Sequence, residues 1–280
     1  VKEMRLIKRW RPRYNVEHNR KRSFAFIKVT REPAPRIIPV ARILPDGATY
    51  FGPFPRPRFL ATTLNELAHV LGLRDCPGTI PIIFGDQMEM FEAGPAPRCI
   101  RAQTGSCMGP CCGGCVSSDY AAAVEVGRRF LEGRTRKPIR LLKQEMEASS
   151  QALEFEYAAL LRDRLDRLET LQRELVAFRG RVEGLSFVYR VPGFRGDDRL
   201  YLIRKGLVEE EFPNPRGKAG RRKAAAKIET IFNSPPPEMG ALSQEAASEI
   251  LLVARWFRLR EREMGRVQKP EDWLSTFASP

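Results

Sequence analysis

The residues best suited to chemistry in this chain are its thiols. Five of the six cysteines fall in "CIRAQTGSCMGPCCGGC", residues 99–115, and the sixth is Cys76 in "LRDC". Three kinds of chemistry could gather them: disulfide staples, a metal site, or nothing beyond packing. Thiolates are soft ligands suited to zinc or to iron–sulfur clusters. The run Cys107-x3-Cys111-x3-Cys115 would suit a tetrahedral zinc site, and Gly105, Ser106, Gly109 and Pro110 leave room for backbone to approach a bound group. The N-terminal "VKEMRLIKRWRPRYN" has no apolar core and no small-residue cleavage site, so the chain reads as cytoplasmic, where disulfides are disfavoured. Metal is the favoured answer.

The second chemical signal is charge. The 280 residues carry a net charge of +14, with 42% hydrophobic and 29% charged residues, ordinary for a globular protein of one large or two to three small domains. The excess is concentrated, for residues 1–60 hold fifteen Lys and Arg against four acids. That clustering marks a footprint for a polyanion. No apolar run reaches the roughly 18–20 residues of a membrane span, so nucleic acid is the expected partner and a membrane is not. Arg9, Arg11, Arg13, Arg20, Lys21 and Arg22 are the expected DNA contacts.

These groups need elements to position them. Met4, Ile7 and Arg11 have helical spacing, ending before Pro12. "SFAFIKVT" (23–30) and "RIIPVARIL" (36–44) read as strands, "YFGPFPRPR" (50–58) as a proline-rich connector, and 60–71 as a helix. The cysteine region is too rich in Gly and Pro for regular structure. From 119 to 178 the pattern is helical, capped by Ser118 or Asp119 and stopped by Gly133, restarting at Pro138. Ala158, Leu161, Leu165, Leu168, Gln172 and Leu175 form the seam of a helical hairpin. Arg162–Asp166, Asp163–Arg167 and Glu169–Arg173 should pair on its outer face. Beyond 179, three short apolar segments predict an antiparallel meander, followed by the basic stretch "PRGKAGRRKAAAK" (215–227) and an amphipathic helix over 243–263 carrying Ile250, Val253, Ala254 and Phe257. Asp197 and Asp198 read as structural turn residues.

Three stretches in series resemble the UvrC family of excision-repair endonucleases. "RLIKRWRPRYNVEHNRKRSFAFIKVTRE…PRI" resembles the second half of its GIY-YIG nuclease domain, "YFGPF…LRDC…RCIRAQTGSCMGPC" its cysteine-rich middle, and "ALEFEYAALLRDRLDRLE" its UVR hairpin. The resemblance implies an α+β chain: a partial GIY-YIG α/β module over 1–50, an irregular Cys-rich metal region over 51–118, helices including the UVR hairpin over 119–178, and a small α+β domain over 179–280. It implies that Cys76, Cys99, Cys107 and Cys111 hold an iron–sulfur cluster, with zinc the alternative and Cys112 and Cys115 as extra thiols. It further implies that Glu3 binds the single Mg²⁺ or Mn²⁺ of the nuclease, a hard carboxylate for a hard cation, and that Asn15 completes that catalytic site. Phe155, Glu156, Ala159 and Arg162 are the residues by which such a hairpin would dock UvrB.

The resemblance stops short of a whole enzyme. The tyrosines and arginine of a GIY-YIG centre would precede residue 1, and the last hundred residues match the family only loosely. The expectation is therefore a fragment of a UvrC-like endonuclease that incises DNA next to a lesion together with UvrB. The alternative is a non-catalytic adaptor that binds DNA and UvrB.

Overall fold

A computed structural model describes residues 1–3, 6, 24–90, 99–235 and 244–278. The described chain is a mixture of small antiparallel sheets and helices, in two compact units. One comprises residues 24–90 and 99–177; the other comprises 178–235 and 244–278 together with Val1–Glu3 and Leu6.

In the first unit, β1 (Ala25–Val29) lies between β2 (Ile37–Val40) and β3 (Thr49–Phe54), antiparallel to both. Phe26 faces Val40, and Ile27 faces Phe51. The expected connector at 50–58 is thus in part a strand. Gly52 and Pro53 disguise β3, yet an edge strand tolerates a proline because one side of its backbone needs no partner. Pro39 sits in β2, the other edge, for the same reason. Helix α1 (Pro57–Val70) begins with proline in its first turn and buries Leu60, Leu64 and Leu67. That i, i+4, i+7 stripe faces the sheet core.

Beyond a 3₁₀ turn (Gly85–Met90) and the single-turn α2 (Ile100–Gln103) come three longer helices: α3 (Ser117–Leu131), α4 (Lys137–Gln151) and α5 (Phe155–Glu183). Helix α3 starts ahead of the predicted caps. Its first residue, Ser117, donates its hydroxyl to Asp86 at 2.6 Å instead of capping the helix itself. Gly127 lets α3 approach the sheet, since a Cβ there would stand 2.5 Å from Ile37 Cδ1. Leu161, Leu168, Leu171 and Leu175 of α5 join Tyr120, Phe130, Ile139 and Leu142 in one core with β1, β2 and α1. Gln172 is the polar member of this seam and donates to Phe130 O (3.2 Å) and Thr135 O (2.7 Å).

The predicted ion pairs along α5 are replaced by others. Arg167 binds Glu66 of α1 in a forked contact at 2.6–3.0 Å, Arg136 reaches Glu169 at 2.8 Å, and Arg162 contacts Asp163. Arg167 takes the distant Glu66 because a bidentate contact to a fixed carboxylate outweighs a solvated i,i+4 pair.

The second unit is a sheet ordered β6-β5-β4-β7, all antiparallel: β4 (Phe187–Val191), β5 (Arg199–Arg204), β6 (Leu207–Pro213) and β7 (Val267–Gln268). Alternation sorts its two faces. Phe187, Tyr189 and Ile203 pack on Val253 and Phe257 of α7 (Gln244–Leu259), with both aromatic rings edge-on to Phe257 at 5.0 and 5.1 Å. Val188, Leu200 and Leu202 pack on Ala224 and Ile228 of α6 (Gly217–Asn233) and on Trp273 of α8 (Pro270–Ala278). The basic stretch after residue 215 is therefore helical. Asp198 accepts Arg190 at 2.6 and 2.9 Å and the Gly193 N–H at 3.1 Å, which is the structural turn role expected of it.

Candidate functional site

The six cysteines carry free thiols. Cys76 follows α1 on a turn, Cys99 precedes α2, and Cys107, Cys111, Cys112 and Cys115 lie on the loop leading into α3. Backbone bonds pin this loop: Met108 N–H donates to Gly72 O (2.8 Å), Ile83 N–H to Pro110 O (2.9 Å) and Gly85 N–H to Cys115 O (2.8 Å). Gly109 adopts φ +66°, a left-handed turn that suits glycine. Cys107 is buried and Cys99 exposed, with the others between.

Burial pushes the Cys107 thiol upward, against an opposing pull from Arg101, and it feels both Cys99 and Cys76. Burial likewise raises Cys111, helped by Cys112 and by Cys76. Burial pushes Cys115 up to about 11, assisted by Cys107 and Asp119. The thiols thus feel one another across the whole loop, with Cys112 coupled to both Cys111 and Cys115. As they stand, no three His, Cys, Asp or Glu side chains among the described residues converge closely enough to hold an ion.

Three arginines that sequence reasoning passed over organise this neighbourhood. Arg74, 2% exposed, donates Nε to Ala34 O (2.8 Å), pairs with Glu32 (2.8 Å), and turns Nη1 toward Cys76 Sγ at 3.6 Å. Arg36 also binds Glu32 (2.8 Å) and donates to Cys76 O at 2.9 Å. Arg101 donates to Leu73 O (3.1 Å) and Ser106 O (2.8 Å) and pairs with Asp75 at 2.7 Å. Its Nε is buried with no hydrogen-bond partner among the described residues. Each of Arg74 and Arg101 lies two residues from a cysteine, the signal that could have found them. Tyr120 completes the frame. Fully buried, it donates to Pro35 O (3.0 Å) and accepts the Arg74 N–H (3.1 Å).

The α4–α5 hairpin offers a second surface. Phe155, Ala159 and Arg162, spaced i, i+4 and i+7, lie on the side of α5 opposite the buried Leu161, Leu168 and Leu175. Phe155 is 63% exposed and Leu160 57%, and Leu153 in the connecting turn is 72% exposed. Glu156 is exposed beside them, and Tyr157 ties the two helices by donating to Glu145 at 2.5 Å.

Of the expected nuclease residues, Glu3 is exposed next to Lys2, which pairs with Glu211 at 3.0 Å. Asn15 lies outside the described residues, as do Arg9, Arg11, Arg13, Arg20, Lys21 and Arg22 and most of the predicted first helix.

Comparison with known proteins bears on these surfaces. A family model described as "UvrC/Cho excinuclease, middle domain" matches residues 24–130, and one described as "UvrB/uvrC motif" matches residues 136–171. The UvrABC system protein C of Desulforudis audaxviator is 34% identical over 280 residues, covering 96% of this chain and 43% of that protein. That of Methanothermobacter thermautotrophicus is 33% identical over 282 residues, covering 97% and 45%. That of Haloarcula marismortui is 38% identical over 172 residues, covering 61% and 28%. The chain thus spans less than half the length of these relatives. No solved structure matches. No helix among the described residues is long and apolar enough to cross a membrane. With the middle domain followed by the helical motif in that order, the chain belongs to the UvrC family.

Proposed function

We propose that this chain serves in nucleotide excision repair as part of a UvrC-type endonuclease subunit in the cytoplasm, docking UvrB through its helical hairpin. The observation that carries this reading is the set of large apolar side chains left exposed at the α4–α5 turn and the first turns of α5. A two-helix motif that has already buried Leu161, Leu168 and Leu175 in its own unit keeps Phe155, Leu160 and Leu153 exposed. Exposed large apolar groups clustered on one helix and its turn suit a helix–helix contact with a partner.

The cysteine cluster is proposed to hold an iron–sulfur cluster through Cys76, Cys99, Cys107 and Cys111. The donor set fits the group: four soft sulfurs, with Arg74 Nη1 facing one thiol and the pull of Arg101 reaching another, would offset the negative charge of thiolate ligation. Zinc would draw on the same sulfurs. Such a cluster would supply a redox-active centre and would add a tie between the loop 99–115 and Cys76 to the backbone bonds that already pin that loop.

Incision is proposed to use Glu3 as the carboxylate that binds Mg²⁺ or Mn²⁺, with Asn15 in the same site. Such a metal would stabilise charge developing on the scissile phosphate. The test is a protein extended upstream by a GIY-YIG half, assayed with UvrB on lesion-bearing duplex. Metal-dependent nicking that Glu3→Ala abolishes, with DNA binding retained, is the expected result. Nicking that survives Glu3→Ala would place the centre elsewhere.

A further inference from the structure

The basic stretch at 215–227 has a place in the fold that calls for a partner. Helix α6 and its N-cap carry Arg216, Lys218, Arg221, Arg222, Lys223 and Lys227, with no acid before Glu229. Ala224 and Ile228 face the sheet, so the cations occupy the remaining arc. Lys227 is committed to Glu210 and lies 5.5 Å from the Phe212 ring, and Arg216 donates to Gly196 O at 3.1 Å. Lys218, Arg222 and Lys223 are exposed and have no ion-pair partner among the described residues.

This arrangement is costly to the helix. Cations in its first turns oppose the positive end of the helix dipole, no acid stands in the first turn, and Lys218 and Arg222 repel at i,i+4. A merely solvated face avoids that cost by mixing signs, as α3 does where Arg128 bonds both Glu125 and Glu132 at 2.7 Å. Helix α6 does the reverse. It also exposes no large apolar side chain among the described residues, which a helix lying in a bilayer surface would need. From Lys218 to Lys227 the helix rises about 14 Å, the axial span of roughly four successive phosphates on one DNA strand.

We infer that the exposed arc of α6, centred on Lys218, Arg222 and Lys223, is a phosphate-backbone contact surface for DNA. It uses none of the N-terminal basic residues and rests on the repair reading only for the identity of its polyanion. The test uses the full chain and a fluorescein-labelled 30-base-pair duplex, with anisotropy titrations at several NaCl concentrations. The variant Lys218→Gln/Arg222→Gln/Lys223→Gln should weaken binding at least about tenfold near 100 mM salt, and should flatten the log–log salt slope by about 2–3. The charge-preserving Lys218→Arg/Arg222→Lys/Lys223→Arg should keep the wild-type slope, which separates lost charge from lost helix. An unchanged slope in the glutamine variant, with helical circular dichroism intact, would overturn the inference. So would a DNA defect confined to Arg20→Gln/Lys21→Gln/Arg22→Gln, although the repair function would then stand. Loss of binding to phosphatidylserine vesicles without any change on DNA would assign the face to membranes and also overturn it.

Discussion

Replacing Tyr120 by Phe removes one oxygen and leaves the ring in place, 6.0 Å from Phe84. The hydroxyl accepts the Arg74 N–H and donates to Pro35 O, in surroundings with no solvent exposure. Its loss leaves a buried donor unpaired, costing about 1–3 kcal/mol, and takes one bond from a carbonyl, adding about 0.5–1.5 kcal/mol. The expected destabilisation is therefore about 2–4 kcal/mol. With an m-value of ~2 kcal/mol/M, the urea midpoint of the unit holding Tyr120 should fall by about 1–2 M. Since Arg74 stands two residues before Cys76, the same change should raise the reactivity of Cys76 toward a thiol reagent before unfolding begins. Urea titration by circular dichroism, with alkylation and mass spectrometry of Cys76, checks both. A midpoint shift under ~0.3 M would refute the idea that the Tyr120 hydroxyl ties α3 to the Arg74 segment.

Glu32 gives a pH dependence. Burial favours its neutral form, but the Thr30 hydroxyl, the Arg36 contact and the charge of Arg74 outweigh it and hold the carboxyl below its usual range. A depressed carboxylate stabilises the fold fully above its unfolded value, about 4.3, and loses that contribution as pH falls through the lower folded value. Glu32→Gln should thus be less stable than wild type at pH 7, by about 3 kcal/mol because Arg74 loses its ion partner in the interior, and the gap should narrow below pH ~4. Parallel melts from pH 7 to 3 read it, and a constant gap would contradict it. Anaerobically purified protein should be brown and contain acid-labile sulfide, both lost in Cys107→Ala or Cys111→Ala. Stoichiometric zinc without sulfide would favour the alternative metal.

Periodicity made the helices and the second sheet legible. The stripe at Leu161, Leu168 and Leu175 and the alternation through Phe187–Tyr189 are direct consequences of which side chains must leave water. Strand β3 was not legible, because Gly52 and Pro53 lower strand propensity locally and only its edge position excuses them. The helical nature of α6 was hidden by its run of like charges, which local rules disfavour. Ion pairs such as Arg167–Glu66 join residues about a hundred positions apart and leave no trace in local spacing. The same holds for the site. The cysteine spacing marked the thiols, whereas the Arg74–Glu32–Arg36 lattice around Cys76 exists only once β1, β2 and the end of α1 are brought together.

The most direct test of the account is calorimetry of the full chain with purified UvrB, comparing wild type with Phe155→Ala. Phe155 is mostly exposed, so its truncation should leave the melting temperature nearly unchanged. An aromatic anchor at a helix–helix contact is worth at least ~2 kcal/mol, so Kd should rise about thirtyfold or more. Tight binding by wild type that collapses in the variant, at equal thermal stability, is the predicted result. Absence of heat from the wild type, or identical affinities for both proteins, would contradict docking through this hairpin.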